Sequence, residues 1–444
     1  MALRDDIFTA GVVGAGGAGF PTDRKLVAGV KLLIVNAVEC EPLLASDRLV
    51  VRQSAPDIIA GLQAIAAELA IPRVVIGVKR HNTAEIAALR QAIAAAGAGI
   101  EVHEVDNVYP AGDEQILIYD ITGQSVPPGG LPLALGIVVS NVTTILNIAR
   151  ARQGQPVTRR WVTVNGAVAD PVILDVPIGT TPADLIAAAG GVTIPNPRLM
   201  RGGAMMGRPY AMAEAASFGL GKADGGLLVL PEDNPAFWHS NRSTERVLAE
   251  TRSTCIQCRM CTDLCPRYLI GHQLRPHRVM RSVATGRDGG ALLDALLCCE
   301  CGLCELFACP MGISPRQVQI IVKAQLRQAG ATLPDTGAHL DQTEVRPGRA
   351  VAQSRLIERL RLGDYPNHLT QWRVFEPDRV VIPTRHGVGR PARPVVATGQ
   401  TVEVGQVVAE VKPDEVGCLV HASIDGRVAQ VSPDQIVIER PGGF

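Results

Sequence analysis

Cys255-Ile-Gln-Cys258-Arg-Met-Cys261-Thr-Asp-Leu-Cys265-Pro266 and Cys298-Cys299-Glu-Cys301-Gly-Leu-Cys304-Glu-Leu-Phe-Ala-Cys309-Pro310 are two versions of one pattern, and they hold nine of the chain's eleven cysteines. Three cysteines at three-residue steps let a tight backbone wrap place three thiolates on three corners of one cubane. The fourth, just before a proline, points away to the other cluster. On this reading Cys255, Cys258, Cys261 and Cys309 hold one [4Fe–4S] cluster, and Cys298, Cys301, Cys304 and Cys265 hold a second. Cys299 is then spare, because Cys298 makes the three-residue step to Cys301. The second block has four residues before its last cysteine instead of three, so a small bulge is expected there. Zinc sites also use Cys-x-x-Cys pairs. They require neither a third cysteine at the next step nor a Cys-Pro terminus, so the spacing favours iron–sulfur chemistry and one-electron transfer.

At 444 residues the chain exceeds one hydrophobic core, and several domains are expected. The net charge of +0 gives no electrostatic reason to expect nucleic acid or an anionic membrane as a partner, and 3% aromatic residues leave little for stacking bases. No basic segment followed by an apolar run opens the chain. The most apolar stretch, residues 131–149, carries Ser140, Asn141, Thr143, Thr144 and Asn147 and is a poor membrane span. A soluble cytoplasmic protein is the expectation, with clustered cysteines serving metal sites, not disulfides.

Residues 30–105 alternate strand and helix signals. Strands are expected at 32–36, 74–78 and 100–105 and helices at 56–70 and 84–95, a βαβαβ order that implies a parallel sheet. Residues 162–168 predict a hairpin turning at Asn165-Gly166. Thr181-Pro182 predicts the start of a short helix ending at Gly190-Gly191, and residues 227–230 a further strand, together a small α+β module of β-grasp type. A helix is expected over 315–329, a polar irregular arm over 331–375, and short β runs broken by Gly and Pro from 376 onward.

Outside the cysteines, two segments carry chemistry. Gly14-Ala-Gly16-Gly17-Ala-Gly19-Phe20-Pro21-Thr22 lacks bulky side chains and lets backbone N–H groups approach a phosphate or a flavin ring; a flexible loop is the plain alternative. Asn36-Ala-Val-Glu39-Cys40-Glu41-Pro42 ends a parallel strand, where ligands bind in open α/β sheets, although its carboxylates also suit a solvated surface.

These segments resemble motifs of the NADH-binding flavoprotein subunit of respiratory complex I. Residues 14–22 look like that family's Gly-Arg-Gly-Gly-Ala-Gly-Phe-Pro-Thr loop, and residues 36–42 resemble its Asn-x-Asp-Glu-Ser-Glu-Pro segment. Tyr109-Pro-Ala-Gly112-Asp113-Glu114 is similar to its Tyr-x-x-Gly-Glu-Glu, and Ser140-Asn141-Val-Thr-Thr144 to its Asn-Asn-Val-Glu-Thr. The resemblance implies FMN and NADH in one pocket. Gly14, Gly16 and Gly17 would lie against the flavin with Lys25 as a charged partner. Asn36, Glu39, Asn141 and Thr144 would hold its ring edge, ribityl chain or phosphate. Phe20 would stack on the nicotinamide side, Gly112 belongs to the matching turn, and Glu41 and Glu114 would bind NADH hydroxyls. Ala15 stands where that family has Arg, Val38 where it has Asp, and Cys40 where it has Ser.

With the cysteine blocks downstream, the layout is similar to the RnfC family and more similar to the PduS-type cobalamin reductases of propanediol-utilisation microcompartments. RnfC proteins carry a barrel-sandwich hybrid module at the N-terminus and PduS-type proteins at the C-terminus, where this chain has its β runs. That module shows no lysine at the turn where biotin or lipoate carriers attach their cofactor, so a docking role is expected. The expected fold class is multidomain α/β plus α+β. It comprises a Rossmann-like FMN/NADH domain (1–155), a β-grasp (SLBB) domain (156–240), a helical dicluster ferredoxin domain (241–330), an arm (331–375) and an all-β barrel-sandwich hybrid (376–444). The implied activity is NADH-dependent reduction of a corrinoid through FMN and two [4Fe–4S] clusters. Its implied partners are NADH, cobalamin, an adenosyltransferase and microcompartment shell or enzyme proteins, with no nucleic acid and no membrane span. Two other readings are a peripheral component of a membrane complex and a flavin-free electron relay.

Overall fold

The computed structural model describes residues 3–287, 290–334 and 340–441. Two residues of the N-terminal stretch, two between the cysteine blocks, residues 335–339 of the expected arm and the last three of the terminal module lie outside them.

After a short helix α1 (Leu3–Thr9), the first module runs β1 (Leu32–Ala37), α2 (Ser46–Glu68), β2 (Arg73–Lys79), α3 (Thr83–Ala95), β3 (Ile100–Val105), β4 (Val108–Tyr109), α4 (Glu114–Thr122), β5 (Ile137–Asn141) and α5 (Val142–Ala151). The parallel sheet has the order β3-β2-β1-β5. The central strands β1 and β2 are apolar on both faces, as a sheet covered on both sides requires, while the edge strand β3 carries Glu101, His103 and Glu104. Leu33 and Val35 face α2 and α5, while Ile34 and Val139 face Leu117 and Ile118 of α4. The second element was expected to begin at Pro56, but α2 begins at Ser46. Proline clashes with the carbonyl four residues back, so the helix breaks locally at Ser54 (φ −133°) and continues through Pro56.

The second module contains β6 (Arg159–Gly166), β7 (Val172–Pro177), α6 (Pro182–Ala188), β8 (Pro197–Arg201), β9 (Arg208–Ala211) and β10 (Gly226–Pro231). Thr181 caps α6, its hydroxyl accepting from Asp184 N–H at 3.2 Å. Asn165-Gly166 is not the hairpin turn. Both residues remain in β6 and pair with β10, so the connection to β7 is residues 167–171. Gly166 has φ +96°, and a side chain there would strike Val229. The Asn165 amide donates to the carbonyls of Leu43 (3.0 Å) and Pro366 (2.8 Å).

The cysteine region is helical: α7 (Thr244–Thr254), α8 (Met260–Asp263), α9 (Pro266–Leu269), α10 (Pro276–Thr285) and α11 (Pro315–Gln328). The segment expected as an irregular arm is structured. Its β11 (Val351–Ala352) pairs with β4, and β12 (Trp372–Val374) adds a parallel edge to β7. Between them α12 (Gln353–Arg359) and the following turn bury Leu356, Leu360 and Leu362 completely. A few apolar residues in polar surroundings are enough to anchor it, and average composition hides them. The terminal module is a sandwich of two antiparallel sheets. One contains β13 (Arg379–Pro383), β15 (Thr401–Val402), β18 (Gly426–Val431) and β19 (Gln435–Glu439). The other contains β14 (Arg393–Pro394), β16 (Val407–Glu410) and β17 (Val420–His421). Among the described residues no helix is long and apolar enough to cross a membrane.

Lys222 ties three modules together. Its side chain is 1% exposed, and its ammonium donates to the carbonyls of Gly11 and Leu419, both at 2.7 Å. Lys222→Met keeps the apolar stem but leaves two buried carbonyls without their donor. The expected outcome is a loss of about 1.5–3 kcal/mol, seen as a lower melting temperature and earlier proteolytic release of the terminal module. Unchanged melting and cleavage would contradict the tie.

Candidate functional site

The first site lies at the C-terminal edge of the parallel sheet. Asn36 at the end of β1 is in register with Asn141 at the end of β5, so two motifs far apart in sequence sit side by side. Asn36 Nδ2 donates to the Gly112 carbonyl at 2.8 Å, and its Oδ1 accepts from Val38 N–H at 3.0 Å. Gly112 is required there, because a side chain would strike the Val38 carbonyl and the Cys40 thiol.

Residues 14–20 form a loop closed by the Val13–Pro21 bridge and by Gly14 N–H donating to the Phe20 carbonyl at 2.9 Å. Ala15 N–H donates to Thr144 Oγ1 at 2.9 Å, so buried Thr144 holds the loop itself. A side chain on Gly16 would strike the Asn141 amide, whereas nothing lies within 4 Å of where one would stand on Gly17. Phe20 is 40% exposed at the loop's end. Lys25 and Glu114 face each other as an ion pair at 2.9 Å.

Beneath the loop is a polar network that sequence reasoning missed. Asp47 accepts from Asn141 Nδ2 (2.6 Å) and Thr143 Oγ1 (2.8 Å), and its N–H donates to Glu39 Oε2 (3.1 Å). Burial and the neighbouring Asp47 push the Glu39 carboxyl well above the ordinary carboxylate range. Arg160 of β6 reaches across from the second module, donating from Nη2 to the Ala15 carbonyl at 2.9 Å. Asp47 escaped notice because the first turns of α2 were not recognised. Arg160 escaped because nothing in Arg159-Arg160-Trp161 says which arginine is buried.

Glu41 faces the second module. Its carboxylate accepts from Met205 N–H at 2.9 Å, and a side chain on Gly203 would strike it. It therefore lies at the junction with the 203–205 loop. Burial pushes its pKa up to about 7.

The second site is the cysteine region, where all thiols are free. Gln257 (φ 55°), Arg259 (71°), Glu300 (61°) and Gly302 (83°) are left-handed. They are the residues immediately before and after the middle cysteine of each block. This shared backbone turns successive thiols inward, at a conformational cost borne by three non-glycine residues. The extra residue of the second block is absorbed in a π-helical turn, Leu303–Phe307, closed by Ala308 N–H donating to the Leu303 carbonyl at 2.8 Å. In the first block the same place is the α-turn α8.

The fourth cysteines cross over. Cys265 lines one cavity with Cys298, Cys299, Cys301 and Cys304. Cys261 has Cys258, Cys255 and Cys309 as neighbours, and burial with these neighbours pushes its thiol up to about 12. A set of soft donors that must shed protons to bind suits an iron–sulfur cluster. Tyr109 Oη donates to the Cys301 carbonyl at 2.7 Å, and Arg267 pairs with Asp113 at 3.0 Å, so the Cys265 set abuts the first module. The Cys255 set faces outward, with Cys258 exposed beside Ile256 (61% exposed) and Met260 (42%).

Known proteins match this arrangement module by module. The Nuo51 FMN-binding domain family matches residues 7–150, the SLBB domain 161–209, the 4Fe-4S dicluster domain 254–314 and the RnfC barrel sandwich hybrid domain 369–440. The chain is 40% identical over 444 residues to cobalamin reductase PduS of Citrobacter freundii, covering 99% of this chain and 97% of that one. It is 41% identical over 443 residues to cobalamin reductase PduS of Salmonella typhimurium (99% and 96%). Among solved structures, an NAD+-reducing [NiFe]-hydrogenase in the H2-reduced state shares the fold with a TM-score of 0.50 at 20% identity, over 77% of this chain and 68% of that one. Fold and site together define a flavin- and iron–sulfur-dependent oxidoreductase. The chain belongs to the PduS cobalamin reductase family.

Two outcomes are expected. Gly302→Val adds a branched side chain at a left-handed position and should remove one cluster. Arg259→Gly relieves the equivalent strain and should remove none; iron and acid-labile sulfide assays decide. Glu41 loses its proton near 4.5 when unfolded and near 7 when folded. Its ionisation therefore costs stability as pH rises through that window, with no further change above it. In Glu41→Gln this slope should vanish, so its melting temperature should gain on the parent's between pH 4.5 and 7. Parallel melting curves would refute the burial.

Proposed function

We propose that the chain takes electron pairs from NADH at the 14–20 loop and passes single electrons through two [4Fe–4S] clusters to a corrinoid. The observation carrying this reading is the crossover of the fourth cysteines, with the Cys265 set against the first module and the Cys255 set at the surface. A bound flavin would accept one hydride, two electrons at once, and release electrons singly, and cubanes would carry them one at a time.

The residues fit those groups. Gly14, Gly16 and Gly17 offer backbone without side chains, Asn36 and Asn141 offer amides at adjacent strand ends, and Lys25 offers a charge. Thr144 sets the loop's position through Ala15. Exposed Phe20 at the loop's end and Glu114, paired with Lys25, suit a nicotinamide nucleotide. Cys265, Cys298, Cys301 and Cys304 would hold the inner cluster, and Cys255, Cys258, Cys261 and Cys309 the outer one. Ile256 and Met260, apolar and exposed, then frame the exit. The corrinoid acceptor and a microcompartment setting rest on family membership, as do adenosyltransferase and shell partners.

Anaerobic NADH titration tests the reading, following flavin absorbance and cluster EPR. Flavin should bleach first and two cluster signals should grow in. In Cys258→Ala one signal should be lost, with flavin bleaching intact and reduction of cob(II)alamin abolished. NADH that reduces neither group, or an unaltered cluster count in Cys258→Ala, refutes it.

A further inference from the structure

We propose that Gln319 of α11 donates its side-chain amide to a sulfur of the inner cluster and holds that cluster's potential above the value its thiolates alone would give. The inference rests on the two-cluster reading above and concerns a residue outside the cysteine pattern.

Gln319 has no exposed surface, and neither its Nε2 nor its Oε1 has a hydrogen-bond partner among the described residues. An amide is costly to bury in that condition, and buried polar groups ordinarily meet a partner. The residue lines the same cavity as Cys265, Cys298, Cys301 and Cys304, the thiols assigned to the inner cluster. Two other polar side chains share that wall. Glu300 is engaged by Lys323 at 2.8 Å, and Arg316 carries donors only. The acceptors left for the amide's N–H are sulfurs.

Helix α11 is fixed against the second cysteine block on both sides of Gln319. One turn earlier, Arg316 Nη1 donates to the Met205 carbonyl at 3.0 Å and lies 3.6 Å from where a side chain on Gly302 would stand. One turn later, Lys323 Nζ donates to the Cys298 carbonyl at 2.7 Å. Residues 316, 319 and 323 share one helix face, so the two anchors hold Gln319 toward the block. Of the three, Gln319 alone has every side-chain polar atom uncommitted. A cubane held by four thiolates is anionic, and reduction adds a further electron to it. An N–H aimed at its sulfur favours the added charge and raises the potential.

The test uses full-length, anaerobically purified protein with both clusters, in redox titrations followed by EPR. The inner cluster is the signal kept in Cys258→Ala. Gln319→Met keeps the length of the side chain and removes the donor. Its inner midpoint should fall by about 59 mV or more, a tenfold change in the one-electron equilibrium, with iron, sulfide and the outer midpoint unchanged. Gln325→Leu, at an exposed position further along α11, should match the parent. A second measurement leaves Gln319 in place. Cys258→Ala protein carrying nitrogen-15 in its glutamine side chains should show a nitrogen-15 coupling to the reduced inner cluster in pulsed EPR. If Gln319→Met fails to load the inner cluster, that coupling decides. A parent-like midpoint in loaded Gln319→Met, or no nitrogen-15 coupling, overturns the proposal and leaves the amide to a buried water. A parent holding fewer than two clusters overturns the two-cluster reading itself.

Discussion

The ion pair between buried Arg267 and half-buried Asp113 is the contact on which the arrangement depends. Arg267 follows Cys265-Pro266 directly and is 8% exposed. Asp113 caps α4 with one carboxylate oxygen, accepting from Gln115 and Ile116 N–H, and receives Arg267 with the other at 3.0 Å. Removing Asp113 would leave the buried Arg267 charge without its ion-pair partner. The helix that follows the fourth cysteine is thus bolted to the turn carrying Gly112 and Glu114. Tyr109, at the start of the same segment, holds the Cys301 carbonyl. These two contacts fix the cysteine region against the first module from both halves of the cysteine pattern.

The terminal barrel-sandwich module is more than an appendage. Gly19 and Gly387 approach so closely that a side chain on either would strike the other's backbone, and Val388 N–H donates to the Ala18 carbonyl at 2.7 Å. Phe8 of α1 packs against the module's core, which also takes in Ile178 of the β-grasp module. One end of the chain therefore lies beside the domain formed by the other.

What was legible in the sequence was periodic or spaced. The apolar runs of β1 and β2 could only be strands covered on both faces. The three-residue cysteine steps required a repeated wrap, and the extra residue before Cys309 required a bulge, found as a π-turn. The misses share a cause. Helix α2 was shortened because Pro56 reads locally as a start, while packing against α5 carries the helix through it. Asn165-Gly166 reads locally as a turn, yet pairing with β10 keeps both residues in the strand. The arm's order rests on contacts with partners far away in sequence, from Leu306 to β4 and β7.

The site divides in the same way. Residue types and their intervals determined the chemistry by themselves: soft thiolates in two sets, a loop without side chains, amides at strand ends. Tertiary structure decided which of those groups meet. It set Asn36 beside Asn141, turned Glu41 toward Met205, and brought Asp47 and Arg160 beneath the loop. Such neighbours are chosen by strand register and by the burial of charge, and both are properties of the assembled fold that no single segment carries.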